Sequence, residues 1–237
     1  THFHSDHIAE IYEVNLASWI QARPQPLTIY GPQGVDEVTN GVNASYRQDR
    51  IYRTGHHGED MLPSALGVLQ HKTIAAGVIL EDGDLKISAY VAEHPPIEPA
   101  VGYRFDYRGR SIVISGDSNV NGDTLKIVDG ADLLLHDALS LPTVTALSDA
   151  MGAVGQSRQS KIVADVMDYH ASTDSLIELG EKSNVDIVAF YHLVPVPLNS
   201  VLENVFMRGA PDNFLLTEDL MWFELPIDSD DIVINRP

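Results

Sequence analysis

Three histidines and an aspartate lie within the first seven residues of the chain, at His2, His4, Asp6 and His7. Burying such polar groups without partners costs about 2–7 kcal/mol each, so packing alone does not call for this cluster. Imidazole nitrogen and carboxylate oxygen are ordinary zinc ligands. The cluster therefore predicts a metal site, and the alternative is a solvated His-rich loop or a remnant of a purification tag.

The spacing within this cluster favours two metal ions over one. If Phe3 faces the core, an extended chain turns His2 and His4 together to the opposite side, because side chains alternate along a strand. Asp6 and His7 are consecutive and cannot share that direction unless the chain turns. The residues from Ile8 onwards have helical spacing, which predicts a strand-to-helix junction at the cluster.

A second set of ligand-type side chains follows apolar, strand-like runs further along the chain. Residues 111–115, 131–135 and 185–191 are each followed within two residues by such a side chain, and another follows residues 85–92. The side chains in question are Asp117, His136, His192 and His94. Strand ends share one edge of a sheet, where sites of α/β proteins lie, so we expect these side chains to converge. Taken singly, each could be a turn, loop or core residue, and His56, His57 and His71 are interpreted as loop or exposed histidines.

The order of these motifs resembles that of a known family. His-x-His-x-Asp-His resembles the metal-binding signature of the metallo-β-lactamase superfamily. Three later segments are similar to the ribonuclease Z and arylsulfatase branch of that superfamily. They are His94-Pro95-Pro96 with Gly102-Tyr103-Arg104-Phe105, then Ser115-Gly116-Asp117-Ser118, and finally Tyr191-His192-Leu193-Val194-Pro195. The resemblance extends from residue 1 to about residue 225.

The resemblance implies an α/β fold, the αββα sandwich of metallo-β-lactamases, and a pair of zinc ions, for which iron or manganese could substitute. It also implies which residues bind each ion. One ion would be held by His2, His4, His94 and Asp117, and the other by Asp6, His7, Asp117 and His192. Asp117 would bridge the two ions.

Three residues are expected to take part in catalysis: His170, Asp6 and His136. In the resembling branch a bridging hydroxide attacks the substrate, and a histidine at the position of His170 acts near the scissile group. Asp6 would orient the hydroxide as well as bind metal. His136 precedes Asp137, which stands where the branch usually has Glu. For His136 and His170, the alternative role is hydrogen bonding that supports the metal ligands.

Hydrophobic periodicity predicts interspersed helices and strands, as in layered α/β architecture. Predicted helices span residues 8–22, 34–52, 159–168 and 173–182, and predicted strands span 27–30, 85–92, 101–107, 111–115, 131–135 and 185–191. Residues 213–225 are predicted to form a final strand or strand pair. The acidic tail, 228–231, is interpreted as solvated. Residues 1–237 are interpreted as one domain. The resemblance implies further strands before residue 1, so we expect this domain to be incomplete at its amino terminus.

The acidic balance of the chain argues against nucleic acid as a partner. There are 34 acidic and 15 basic side chains, giving a formal charge of −19, and phosphate binding depends on Lys and Arg. Ribonuclease Z proteins usually carry a tRNA-gripping arm between the third histidine and the bridging Asp. Only 22 residues separate His94 from Asp117, which leaves no room for such an arm.

These observations predict a metal-dependent hydrolase of a small-molecule ester: an aryl sulfate, a phosphodiester, a lactone or a β-lactam. The alternatives are a tRNA 3′-processing endonuclease of the ribonuclease Z type and a non-catalytic metal-binding module. The chain has no cysteine, so zinc would be bound by nitrogen and oxygen only. No apolar run approaches the ~20 residues of a membrane span. The sequence is compatible with a homo-oligomer and does not indicate a cellular compartment.

Overall fold

The computed structural model describes residues Thr1–Pro237, and the chain divides into two compact units, Thr1–Ala75 and Ala76–Pro237. The interpretation of residues 1–237 as one domain stays a prediction. None of the helices combines the length and the apolar character that a membrane span requires.

The first unit contains four helices and one pair of parallel strands. The helices are α1 (Ser5–Ile8), α2 (Ile11–Ile20), α3 (Val35–Ser45) and α4 (Arg47–His57), and the strands are β1 (Thr28–Gly31) and β2 (Gln70–Thr73). A 3-10 turn lies at Ser64–Gly67. Trp19 of α2 is almost fully buried, and its indole Nε1 donates a hydrogen bond to the Pro63 carbonyl at 2.9 Å. That bond satisfies the one polar atom of the buried ring.

The second unit is built on a seven-stranded sheet of order β3-β4-β5-β6-β7-β8-β9. Its strands are β3 (Gly77–Asp82), β4 (Leu85–Val91), β5 (Val101–Tyr107), β6 (Arg110–Ile114), β7 (Leu133–Leu139), β8 (Ile187–Val194) and β9 (Phe214–Leu216). The pairs from β3 to β6 are antiparallel, and those from β6 to β9 are parallel. The carboxyl ends of β6, β7, β8 and β9 therefore lie along one edge of the sheet.

Helices connect the parallel strands, as parallel connections require. They are α5 (Gly122–Val128), α6 (Leu141–Ala153), α7 (Ser157–Asp165), α8 (Thr173–Lys182) and α9 (Ser200–Phe206). A 3-10 turn follows α7 at Val166–Asp168, and a separate antiparallel pair, β10 (Trp222–Glu224) and β11 (Val233–Asn235), completes the unit. The core contains Val113, Leu134 and Val188 from the sheet and Leu176 from α8.

Several sequence predictions need correction at their boundaries. The predicted helix 8–22 begins earlier and is broken into α1 and α2, and the predicted helix 34–52 is two helices, α3 and α4. The predicted helix 173–182 matches α8, and the strands predicted at 85–92, 101–107 and 111–115 match β4, β5 and β6 to within a residue. The interspersed α/β pattern is confirmed.

Close packing between α8 and β9 makes Gly180 sensitive to substitution. A Cβ atom at Gly180 would lie 2.5 Å from Cζ of the buried Phe214 ring, so Gly180→Ala should lower the free energy of unfolding by about 1–3 kcal/mol. Denaturant unfolding measures the change. Gly41→Ala in α3 is the matched control, because a Cβ there meets no atom within 4 Å, and it should raise stability by about 0.5–1 kcal/mol. An unchanged midpoint for Gly180→Ala would contradict the packing.

Candidate metal centre

The amino-terminal cluster, His2, His4, Asp6 and His7, forms around the start of α1. His4 is the residue before the helix and has an extended backbone, and the His7 N–H donates to the His4 carbonyl at 3.0 Å. The extended His4 followed by one helical turn matches the helical half of the predicted strand-to-helix junction, whereas no paired strand precedes the helix. Phe3 lies against Gly34, since a Cβ there would be 3.1 Å from its ring.

The imidazoles of His2 and His4 are close enough to share an ion. His2 is buried, and its Nε2 lies 3.0 Å from His4 Nδ1. Two nitrogens held ~2.0–2.1 Å from one tetrahedral zinc are separated by roughly 3.3 Å, so this pair fits one ion. The rings of His2 and His7 have centroids 4.2 Å apart, and His7 Nε2 lies 3.3 Å from Asp6 Oδ2.

The sheet-edge cluster, His94, Asp117, Asp137, His170 and His192, lies in the second unit. Asp117 follows β6 through Ser115-Gly116, Asp137 is in β7, and His192 is in β8. His94 comes just after β4, which runs in the same direction as β6 because β5 is antiparallel to both. The expected convergence holds for Asp117, His192 and His94, with Asp117 Oδ2 3.6 Å from His192 Nε2. It does not hold for His136, which is enclosed in β7 without exposed surface.

A β-bulge aims His192 at this edge. Asp137 pairs with Tyr191 and Ala138 pairs with Leu193, so His192 is the extra residue of β8. Its φ of +45° is in the left-handed region, which costs a residue other than glycine about 1–3 kcal/mol. Bulges of this kind redirect a side chain next to a functional site.

His94 is oriented by a backbone carbonyl. Its Nδ1 lies 2.9 Å from the Tyr169 carbonyl oxygen, so Nδ1 carries the proton and donates it in this hydrogen bond. The same contact leaves Nε2 with a lone pair, which is the tautomer that a metal ligand needs. Both His94 and Asp117 are buried, and their ligand-type atoms lie within 4.8 Å of one another.

Asp137 links the two remaining histidines that the sequence singled out. It is fully buried, its Oδ2 accepts from His170 Nδ1 at 2.8 Å, and its Oδ1 accepts from the Ser118 N–H at 3.1 Å. His136 Nδ1 lies 2.9 Å from Oδ1 as well. Burial alone would raise the pKa of Asp137, but the hydrogen bonds from His136 and His170 outweigh burial and lower the pKa.

His170 stands beside the ligand-type histidines, whereas His136 is enclosed. The centroid of the His170 ring is 5.6 Å from that of His94 and 5.4 Å from that of His192. His136 has no exposed surface, so it can act on a substrate only through Asp137. The rings of His56 and His57 contact each other edge to face at the end of α4, and His71 contacts Thr39. None of these three belongs to either cluster.

The donor set fits metal ions. The chain contains His and Asp groups that could hold a metal ion, and Asp117 belongs to two of them. Nitrogen and oxygen donors without sulfur suit zinc and also accept iron or manganese. The sequence did not reveal the Tyr169 carbonyl or the bulge at His192, because both depend on chain segments that are remote from the ligands.

Comparison with known proteins places the chain in a family. A family model described as a beta-lactamase superfamily domain matches residues 1–192. A protein of Mycobacterium tuberculosis (strain CDC 1551 / Oshkosh) named putative ribonuclease Z is 32% identical over 199 residues, which are 82% of each chain. The ribonuclease Z of Mycobacterium bovis (strain BCG / Pasteur 1173P2) is also 32% identical over 199 residues. The present chain matches 66% of that protein's length.

Solved structures show the same fold. The metallo-beta-lactamase fold protein YhfI from Bacillus subtilis superimposes with a TM-score of 0.56 at 15% identity, over 92% of this chain and 73% of that one. At that identity the likeness establishes the fold alone. The chain thus belongs to the beta-lactamase superfamily, with a metallo-β-lactamase fold that carries the His and Asp groups of a metal-dependent hydrolase.

Proposed function

We propose that this chain is a metal-dependent phosphodiesterase of the ribonuclease Z type, which hydrolyses a P–O bond in RNA. The observation that carries the proposal is the position of His170, whose ring lies beside His94 and His192 while Asp137 holds its Nδ1. A proton donor beside metal ligands suits hydrolysis of an ester with a poor leaving group. The relatives named ribonuclease Z support RNA as the substrate class.

We assign two zinc ions to the His and Asp groups. The first set is His2, His4, His94 and Asp117, and the second is Asp6, His7, Asp117 and His192. The ligand chemistry and the spacing within each cluster support the assignment. When bound, the ions would supply Lewis acidity and an activated water for attack on phosphorus.

The protein's own groups complete the reaction. Asp137 fixes the His170 tautomer by accepting its Nδ1 proton, so Nε2 is the atom that exchanges a proton with the substrate. As water oxygen bonds to phosphorus and the P–O bond breaks, protonated His170 gives its Nε2 proton to the leaving oxygen. The proton that the water releases then returns Nε2 to its protonated form. His136 acts as a positioning residue through Asp137, and Asp6, which has 60% of its side chain exposed, would orient the water.

The ribonuclease Z relatives change the preferred substrate from a small-molecule ester to RNA. The sequence disfavoured nucleic acid because of the net charge and the short interval between His94 and Asp117. The structure shows that β5 and β6 occupy this interval as a plain hairpin, so no arm is present there. That observation favours a second candidate, hydrolysis of a small phosphodiester or another small-molecule ester, whereas the ribonuclease Z relatives favour RNA.

Metal removal tests the hydrolase mechanism. Protein stripped with a chelator should lose more than about 100-fold of its phosphodiesterase activity, because the ions supply several kcal/mol of catalysis. Adding zinc should restore the activity as about two ions per chain bind, measured by elemental analysis. Full activity of the metal-free protein would contradict the mechanism. Two bound zinc ions without turnover of any substrate would favour the non-catalytic module.

A substrate panel separates RNA from small esters. We expect cleavage of a tRNA precursor at its 3′ side, with kcat/KM well above that for bis(p-nitrophenyl) phosphate. Nitrophenyl sulfate, a nitrophenyl lactone analogue and a chromogenic β-lactam test the other classes. Faster turnover of any small ester than of RNA would establish the second candidate in place of the first.

A further inference from the structure

A cavity of about 450 Å³ lies in the second unit between α9 and the end of β9. We call it the edge cavity, and its principal lining residues are Leu193, Glu203, Asn204, Met207, Leu216 and Arg236. Its volume is in the range of small-molecule sites. Neither His170 nor any of the proposed metal ligands lines it.

The edge cavity opens at the same sheet edge as the sheet-edge cluster. Leu193 follows the proposed metal ligand His192 directly, and Leu216 ends β9, which is parallel to β8. Ligands of open α/β sheets bind outside the carboxyl ends of parallel strands. The edge cavity therefore lies one strand along from the proposed metal ligands, where the part of a substrate that flanks the scissile bond would extend.

The lining of the edge cavity combines apolar walls with hydrogen-bonding groups. Leu193, Met207 and Leu216 are partly buried against the core, while Glu203 and Asn204 of α9 are exposed at the rim. Arg236 is engaged by Glu218, with Nη1 and Oε1 2.7 Å apart. Glu203 makes no ion pair, so the rim carries a net negative charge, which disfavours a phosphate as the occupant and favours a hydrogen-bond donor.

We propose that the edge cavity binds a nucleobase that carries an exocyclic amino group, next to the scissile phosphate. A flat heterocycle places its faces on apolar walls and its polar edge at the rim. Glu203 would accept a hydrogen bond from the amino group, as acidic side chains do from cytosine N4. Uracil presents a carbonyl oxygen at that position, so it meets the carboxylate with repulsion. This inference rests on the proposed phosphodiesterase function and extends it to specificity.

Paired chromogenic substrates test the inference. Cytidine and uridine p-nitrophenyl phosphodiesters, each made as the 3′ and the 5′ ester, differ only in the base and its side of the phosphate. We expect one of the two ester series to show a cytidine preference of about tenfold in kcat/KM, expressed in KM. Glu203→Gln should reduce this preference to near unity, because an amide both donates and accepts. Glu181→Gln, an exposed acid of α8, removes the same charge and should keep the preference.

The results can separate a failure of the edge-cavity inference from a failure of the proposed function. Equal rates for cytidine and uridine esters in both series, or an unchanged preference in Glu203→Gln, would overturn the inference while leaving the phosphodiesterase intact. If neither a tRNA precursor nor bis(p-nitrophenyl) phosphate is hydrolysed, the proposed function fails. In that case calorimetric titration with cytidine and uridine monophosphates still decides whether Glu203 discriminates between the bases, and equal affinities would overturn the inference.

Discussion

Asp117→Ala should abolish metal-dependent hydrolysis and strip the protein of most of its zinc. Asp117 is the residue that belongs to both proposed ligand sets, so its loss weakens both ions together. Changing a group that merely supports a metal ligand costs about 10–100-fold in affinity or activity, and a shared ligand should cost more than about 100-fold. Elemental analysis of zinc per chain and phosphodiester turnover measure the two effects.

A surface aspartate provides the matched control. Asp123 lies on α5 with 72% of its side chain exposed and pairs only with the exposed Lys126, so Asp123→Ala should retain both zinc content and rate. Asp117 is buried, and thermal unfolding with and without zinc separates loss of metal from loss of fold. A folded Asp117→Ala protein that keeps two zinc ions would refute the shared-ligand assignment.

The sequence predicted the sheet edge better than it predicted the helices. Short β-branched runs such as 111–115 are recognisable from composition, and each run leads directly to its polar end residue. The break between α1 and α2 at Ala9–Glu10, and that between α3 and α4 at Tyr46, carry no glycine or proline. Without such a signal, helical periodicity alone merged the elements on either side of each break.

Other elements were not predicted from the sequence. Helices α5, α6 and α9 are among them, although α5 begins at a local capping box formed by Asn121 and Thr124. The acidic tail was interpreted as solvated, and its carboxylates are exposed, but its backbone is held: Arg110 Nη2 donates to the Asp231 carbonyl at 3.1 Å. Arg110 also pairs with Asp132 at 3.0 Å. A contact between residues so far apart in the chain leaves no local pattern.

In the candidate site, too, some features can be predicted from the sequence and others depend on the fold. Spacing and residue type singled out the amino-terminal cluster as candidate ligands, and the strand ends singled out His94, Asp117 and His192. The tautomer of His94 and the bulge at His192 depend on the Tyr169 carbonyl and on the register of β7 with β8. Sequence can therefore propose which side chains bind metal, whereas the fold determines which nitrogen each one offers.

His170→Ala should slow cleavage of RNA by about 10²–10⁴-fold, the contribution of a well-placed general acid. Zinc content should stay near that of the unchanged protein, because His170 is outside both proposed ligand sets. The loss should be much smaller with bis(p-nitrophenyl) phosphate, since nitrophenolate leaves without needing a proton. His56→Ala, an exposed histidine of α4, is the control and should leave both rates unchanged.

Asp137→Asn tests whether the buried carboxylate acts through His170. An amide in place of Asp137 can donate to His170 Nδ1 and favour the wrong tautomer, so the rate on RNA should fall nearly as far as in His170→Ala. The double variant should be little slower than either single one, because residues that act as one unit are not additive. Equal losses on RNA and on the nitrophenyl ester, or additive losses in the double variant, would show that Asp137 and His170 support the structure and do not deliver the proton.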